Sequence, residues 1–81
     1  MPRLPVVSGR KLARSLGRFG YEEVSQRGSH LKLRKMTLQG EHVITVPLHA
    51  EIARGTLSDI LKAVAARNNT TRDSLVRELD L

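Results

Sequence analysis

The sequence predicts a two-layer α+β sandwich in which helices cover one face of a three-stranded antiparallel sheet. Apolar residues recur at helical spacing near the start of the chain and again over its last third. Three short segments between them have strand character and are separated by turn residues. Helices with an apolar stripe need one sheet face to cover. The 81 residues suit one domain, 1–81, in the order α-β-β-β-α-α, with residues 1–7 as a flexible, Pro-punctuated arm.

The first helix is predicted to begin after Ser8, a favourable N-cap residue, and to end at Gly20, which accepts the left-handed conformation. The inward stripe consists of apolar residues at helical spacing: Leu12, Ala13, Leu16 and Phe19. The other face carries four cations: Arg10, Lys11, Arg14 and Arg18. A charged helix face is usually only solvated, so solvation and binding both stay open for it.

The three strands are predicted at residues 21–26, 30–35 and 42–46. Val24 is the inward residue of the first strand, and Gly28-Ser29 forms the turn before the second. The third strand is rich in β-branched residues and is closed by Pro47, which cannot donate to a ladder. Residues 36–41 are predicted to be a loop.

The loop length fixes a register for the second and third strands. If Lys35 pairs with His42, then Leu33 faces Ile44 and His30 faces Pro47. Cross-strand partners share a sheet face, so the register gathers the apolar residues on one side. It also brings His49 to the same end of the sheet as His30.

The C-terminal part is predicted to form two helices. Thr56 caps the longer one, in a capping-box pattern with Asp59, and Asn68-Asn69 end it. Thr70 with Asp73 begins the shorter one, whose apolar residues are Leu75, Val76 and Leu79. The predicted core is apolar throughout: Leu12, Leu16, Phe19, Leu31, Leu33, Ile44, Val46, Leu57, Ile60, Leu61 and Val64.

The formal net charge of +6 is concentrated in the first half. Residues 1–35 hold nine Lys or Arg and two Glu, a charge of +7, whereas residues 36–81 hold five Lys or Arg and six Asp or Glu, a charge of −1. A one-sided basic field is typical of nucleic-acid binding. One Phe, one Tyr and no Trp argue against a base-stacking platform. The absence of Cys, of a signal peptide and of an apolar run of membrane length predicts a cytoplasmic protein.

The second strand carries the candidate site. Leu31 and Leu33 alternate with His30, Lys32 and Arg34, so one imidazole and two cations point to water. Histidine exchanges a proton near neutral pH, and an imidazole flanked by cations suits the reacting group of a polyanion. His49 is either a second proton-transfer residue or a side chain that packs or caps the turn after Pro47. His42 is predicted to be incidental, and the three histidines lack the spacing of a metal site.

The element order is that of the double-stranded-RNA-binding domain, and the motifs resemble the HicA family of toxin–antitoxin toxins. Order and spacing agree from about residue 7 to residue 79 over five motifs: Val7-Ser8-Gly9-Arg10-Lys11, Phe19-Gly20-Tyr21, Gln26-Arg27-Gly28-Ser29-His30, Val46-Pro47-Leu48-His49, and Gly55-Thr56-Leu57-Ser58-Asp59-Ile60-Leu61. The sequence departs from the family at Tyr21, in the 36–40 loop, which lacks Pro-Asp-Gly, and at Asn68-Asn69.

The resemblance implies an mRNA interferase that is neutralised by a HicB antitoxin, with the histidine of Gly-Ser-His, here His30, as the catalytic residue. RNA binding is then expected from basic and polar residues around it: Arg27, Ser29, Lys32, Arg34 and Lys11. The antitoxin is expected to cover the same surface: His30, Lys32, Arg34, Arg10, Lys11 and Arg14. No cofactor and no membrane partner is expected. The alternatives are a non-catalytic double-stranded-RNA-binding domain and a small basic ribosome-associated protein.

Overall fold

The computed structural model describes residues 4–81, which form a three-stranded sheet and three helices. In chain order the elements are α1 (Gly9–Arg18), β1 (Glu22–Arg27), β2 (His30–Thr37), β3 (Gly40–Pro47), α2 (Arg54–Arg67) and α3 (Arg72–Glu78). The sheet is antiparallel with β2 in the centre. The predicted α+β class and element order are confirmed. No helix in the described range is long and apolar enough to cross a membrane.

The β2–β3 hairpin has the predicted register. Lys35 pairs with His42, Leu33 with Ile44, and His30 with Pro47. The loop prediction for residues 36–41 was wrong, because β2 continues to Thr37 and β3 already begins at Gly40. The Thr37 hydroxyl donates to the Gly40 carbonyl (2.7 Å) and accepts from the Gln39 N–H (3.1 Å), which closes a two-residue turn.

Strand β1 departs from its predicted inward residue. Val24 is 51% exposed, whereas Tyr21, just before the strand, is only 3% exposed. The pairing of β1 with β2 shifts register between Glu23 and Ser25, so Val24 lies in a β-bulge. A bulge breaks the alternation of faces that the sequence pattern assumes, which is why the prediction for Val24 was wrong.

The core lies between the helices and one face of the sheet. Every predicted core residue is buried except Phe19, which is half-buried at the edge of the cluster. Val7 is also buried, and its carbonyl accepts a 2.9 Å hydrogen bond from the Ile52 N–H. Val7, the last residue of the predicted arm, therefore packs against the core, and the flexibility of the arm stays a prediction. Residues 1–3 of the predicted arm lie outside the described part of the chain.

The start of α1 and the end of α2 at Asn68-Asn69 follow the sequence, whereas the starts of α2 and α3 differ from it. Ser8 accepts from the Lys11 N–H (3.1 Å), as predicted for an N-cap. Helix α2 begins at Arg54, and its N-cap Ala53 has no side-chain cap, so the capping box at Thr56 was wrong. Backbone bonding decides this start, since the Leu57 N–H already reaches the Ala53 carbonyl. In α3 the cap is Thr71 rather than Thr70, and its hydroxyl accepts from the Ser74 N–H (3.1 Å).

Candidate active site

The two faces of β2 differ as the alternation predicts. Leu31 and Leu33 are buried against the helices, whereas His30, Lys32 and Arg34 are exposed on the other side. Within residues 4–81 the buried apolar residues of all three helices belong to the single cluster on the inner face, and only the start of α2 borders the outer face, at His30. The outer surface of the sheet is therefore open to a ligand, and the candidate residues lie on it.

His30 is held in place by the backbone on both sides. It opens β2 and pairs with Arg27 across the β1–β2 turn and with Pro47 on β3. Gly28 supplies the positive φ of 55° that this turn requires. One residue before His30, the Ser29 carbonyl accepts a 2.6 Å hydrogen bond from the Leu48 N–H. The imidazole thus projects from a rigid strand end.

On one side of His30 is a surface depression of about 410 Å³. It is lined by polar and basic residues: Ser25, Gln26, Arg27, His30, Lys32 and Thr45. No acidic side chain lines it, and within residues 4–81 Arg27 and Lys32 form neither ion pairs nor side-chain hydrogen bonds. Two unpaired cations beside an imidazole attract an anionic ligand.

On the other side of His30 is a second depression, of about 360 Å³. Its lining contains both candidate histidines: His30, Thr45, Pro47, His49, Ala53 and Thr56. Ala53 and Thr56 belong to the start of α2, where the backbone N–H groups carry partial positive charge. The structure thus brings His49 beside His30, as the register predicted.

The backbone at His49 is fixed, whereas its imidazole is free. The His49 carbonyl accepts a 2.9 Å hydrogen bond from the Gly9 N–H at the start of α1. A Cβ on Gly9 would collide with the Pro47 carbonyl oxygen and lie 2.7 Å from Leu48 Cα, so only glycine allows this approach. The His49 side chain is exposed and has no hydrogen bond within residues 4–81. In the described residues the imidazole thus makes no hydrogen bond of the kind that caps a turn.

Arg34 is placed differently from the other candidates. Its guanidinium lies 2.9 Å from a Glu22 carboxylate oxygen and 3.5 Å from one of Glu41. The hydrogen bond to Glu22, reinforced by the charges of Glu22 and Glu41, raises the pKa of Arg34 above its usual value. Arg34 lines neither depression beside His30. It shares the open face with His30 but not its immediate surroundings.

The remaining expected contacts are separate from His30. Arg10, Lys11 and Arg14 are exposed on α1 and line a depression of their own with Arg18, Ser8, Ser15 and Asp80. Ser29 is exposed, its carbonyl is bonded to the Leu48 N–H, and it lines neither depression beside His30. A basic helix face and a basic strand end are thus joined through the Gly9–His49 hydrogen bond, and they do not form one pocket.

His42 has a structural role that the sequence interpretation missed. It is 8% exposed, on the inner face with Ile44 and Val46. Its Nδ1 lies 2.7 Å from the Tyr21 hydroxyl, which also accepts from Asn68 Nδ2 at 3.1 Å. The hydroxyl either donates to Nδ1 or accepts from an Nδ1–H, depending on the tautomer of His42. Burial, aided by repulsion from Arg67, lowers the pKa of His42.

The predicted register of β2 and β3 already implied that His42 is buried. If Lys35 pairs with His42, then His42 shares the face of Ile44 and is buried with it. Burial likewise raises the pKa of Tyr21, more than its hydrogen bond from Asn68 and the charge of Arg67 lower it. Within the described residues there is no group of three or more His, Cys, Asp or Glu side chains arranged to hold a metal ion.

Comparison with known proteins gives one match. A family model described as "HicA toxin of bacterial toxin-antitoxin" matches residues 9–65, which is more than half of the chain. The matched range includes α1, the whole sheet, both histidines of the second depression and most of α2. Neither the curated proteins nor the solved structures gave a match.

Proposed function

Because the chain belongs to the HicA toxin family of bacterial toxin–antitoxin systems, we propose that it is an endoribonuclease, an mRNA interferase, with His30 as its catalytic base. One observation carries the proposal: an exposed imidazole on a rigid strand end lies between two depressions, beside two unpaired cations. We infer that the toxin acts in the cytoplasm as a single domain of residues 1–81. A HicB-type antitoxin neutralises it.

The chemistry uses a nucleophile that RNA itself supplies. Neutral His30 removes the proton of a 2′-hydroxyl, whose oxygen attacks the adjacent phosphorus. This general-base step is worth about 10²–10⁴-fold in rate. Arg27 and Lys32 lie beside His30 and offset the charge that develops on the phosphate oxygens. Arginine presents two parallel N–H donors to such an anion. The reaction needs no cofactor, and its product is a 2′,3′-cyclic phosphate.

RNA on either side of the cleaved bond meets the rest of the basic surface. Ser29 lies in the turn beside Arg27, and Lys11 lies on the helix whose start is bonded to the His49 loop. Arg34 binds RNA more weakly than the unpaired Lys32, because Glu22 and Glu41 already neutralise it. These contacts are with phosphates, so RNA affinity falls steeply with salt.

The test compares induction of the native chain with induction of His30→Ala and His30→Gln. Native protein should arrest growth and cleave RNA in vitro, with a cyclic phosphate end and no inhibition by EDTA. Both variants should lose cleavage while retaining fold and RNA binding. Full activity in His30→Ala would refute the mechanism. RNA binding without cleavage by the native chain would favour a non-catalytic RNA-binding domain.

The antitoxin is proposed to cover the surface that binds RNA. Its expected contacts are the exposed histidine and cations of the sheet and of α1: His30, Lys32, Arg34, Arg10, Lys11 and Arg14. A basic face favours an acidic partner, and the charge complementarity speeds encounter. With the His30→Ala protein, which leaves substrate intact, antitoxin and RNA should compete. Simultaneous binding would show that the antitoxin acts from another surface.

A further inference from the structure

We propose that His49 is the second catalytic residue, the general acid that protonates the leaving 5′-oxygen when His30 removes the 2′-hydroxyl proton. The inference rests on the proposed ribonuclease function, and it names the residue that donates a proton to the leaving oxygen in that reaction. Its starting observation is that His30 and His49 line the same depression, which has a volume of about 360 Å³.

The strand pairing places His30 and His49 at the same end of the sheet. His30 pairs with Pro47, and the Leu48 N–H to Ser29 carbonyl bond continues that pairing beyond the end of the strand. His49 is therefore two residues past the direct partner of His30, a diagonal position on the same side of the sheet. A phosphodiester in the shared depression can direct its 2′-hydroxyl, a donor, to His30 and its 5′-oxygen, an acceptor, to His49.

Two independent hydrogen bonds hold the backbone at His49, one from each layer of the fold. The Leu48 N–H is bonded to the turn before His30 (2.6 Å), and the His49 carbonyl is bonded to Gly9 at the start of α1 (2.9 Å). The imidazole itself is exposed and without a partner in residues 4–81. A fixed backbone with a free functional group is the arrangement that positions a catalytic side chain.

The paired reaction balances. The 2′-oxygen gives its proton to neutral His30 and forms a bond to phosphorus. The bond between phosphorus and the 5′-oxygen breaks, and that oxygen takes a proton from the His49 imidazolium. The products are a 2′,3′-cyclic phosphate and a 5′-hydroxyl, with His30 protonated and His49 neutral. Proton exchange with water restores both residues.

The pair requires opposite protonation states, so the rate should pass through a maximum with pH. The other ionisable groups around the pair are Arg27 and Lys32, which share the neighbouring depression with His30, and Glu51 and Arg54, which flank the His49 loop along the chain. In the proposed mechanism the acidic limb of the rate profile reports loss of the base, His30, and the basic limb loss of the acid, His49.

The experiment uses an oligoribonucleotide with a mapped cleavage site and a second one with sulfur in place of the leaving 5′-oxygen. A thiolate leaves without protonation, so the second substrate needs no general acid. His49→Gln should cleave normal RNA about 10²-fold more slowly. Its loss on the sulfur substrate should be less than tenfold, and its pH profile should lack the basic limb. His30→Gln should fail on both substrates.

Ala50→Gln is the matched control, because it places the same side chain next to His49 on an exposed position. It should cleave both substrates at the native rate, and all variants should match the native melting temperature and RNA affinity. Equal losses of His49→Gln on both substrates, or no loss on either, would overturn the assignment while leaving the ribonuclease function intact. Absence of cleavage by the native chain would overturn both proposals.

Discussion

The two ends of the β2–β3 hairpin use the same residue types in opposite ways. At the strand end that opens β2, His30 and Lys32 are exposed, and neither has an ion pair or side-chain hydrogen bond in residues 4–81. Toward the turn, Arg34 is paired with Glu22 and Glu41, Lys35 donates to Asn68, and His42 is bonded to Tyr21. The first end keeps its polar groups available to a ligand, whereas the second uses them in contacts between the strands and with the end of α2.

The partnered end is a connected network. Lys35 Nζ lies 2.6 Å from Asn68 Oδ1 and 4.3 Å from the centre of the Phe19 ring. Asn68 Nδ2 donates to the Tyr21 hydroxyl and to the Val64 carbonyl (2.7 Å). The end of α2 is thereby fixed to the sheet. Lys35 adds to the basic half of the sequence, but its ammonium group is already bonded to Asn68.

The largest effect that separates the two ends is expected from Tyr21→Phe. The substitution removes the hydroxyl and leaves His42 Nδ1 and one Asn68 donor without this partner in a buried setting. An unsatisfied buried group costs about 1–3 kcal/mol, so urea unfolding should show a loss of that size. RNA affinity and cleavage measured well below the unfolding midpoint should not change. Val24→Ala, at an exposed position on the bulge, is the control. Unchanged stability of Tyr21→Phe would show that the network is not cooperative.

The second-largest effect is a difference in RNA affinity between two charge reversals on β2, Lys32→Glu and Arg34→Glu. Lys32 is unpaired, so its reversal should weaken RNA binding about tenfold and reduce the salt slope by about 1, as for one lost phosphate contact. Arg34 is already neutralised by Glu22 and Glu41, so its reversal should have a smaller effect on binding. Filter binding from 50 to 200 mM salt (about the range over which phosphate contacts are resolved) measures both. Equal losses of RNA affinity in the two variants would show that RNA displaces the glutamates from Arg34.

The smallest effect is a pH dependence that belongs to the partnered end. Burial lowers the pKa of His42 in the folded state, so the unfolded chain, with a pKa near 6.5, binds the proton more readily. The stability that neutral His42 contributes is present above about pH 6.5 and is lost as pH falls through the folded pKa. Urea unfolding between pH 8 and pH 5 should show this decline. His42→Gln should flatten it, whereas His30→Gln should not; a decline that persists in His42→Gln would assign it to other groups.

The sequence predicted the hairpin well because one physical pattern determined it. The alternation of Leu31 and Leu33 with charged residues, together with the β-branched run before Pro47, allowed one register that buried all the apolar residues, and this register is the observed one. The same reasoning placed His49 at the His30 end of the sheet. The element order resembles that of a double-stranded-RNA-binding domain, and that likeness remains a prediction.

The ion pairs of Arg34 could not be predicted from the sequence, because they depend on local departures from regular strand geometry. The bulge at Val24 shifts the β1 register, and only with that shift does Glu22 lie opposite Arg34 and neutralise it. The hairpin turn is shorter than expected, which brings Glu41 into β3 and beside the same guanidinium. Counting charges along the chain therefore overestimated the cations available at the site. Arg34 and Lys35 became structural through partners that distant segments supply.

The close contact at Gly9 predicts which mutations appear when cells are selected for loss of toxicity. Its N–H holds the His49 carbonyl, and a side chain at this position would collide with the backbone at Pro47 and Leu48. Mutations in this chain that restore colony formation during its induction should therefore fall into two classes. Substitutions at His30 would leave a folded, abundant protein that does not cleave RNA. Substitutions at Gly9 would separate α1 from the sheet, and the unfolded chain would be degraded, which is a recessive null allele at a residue that does not touch the substrate.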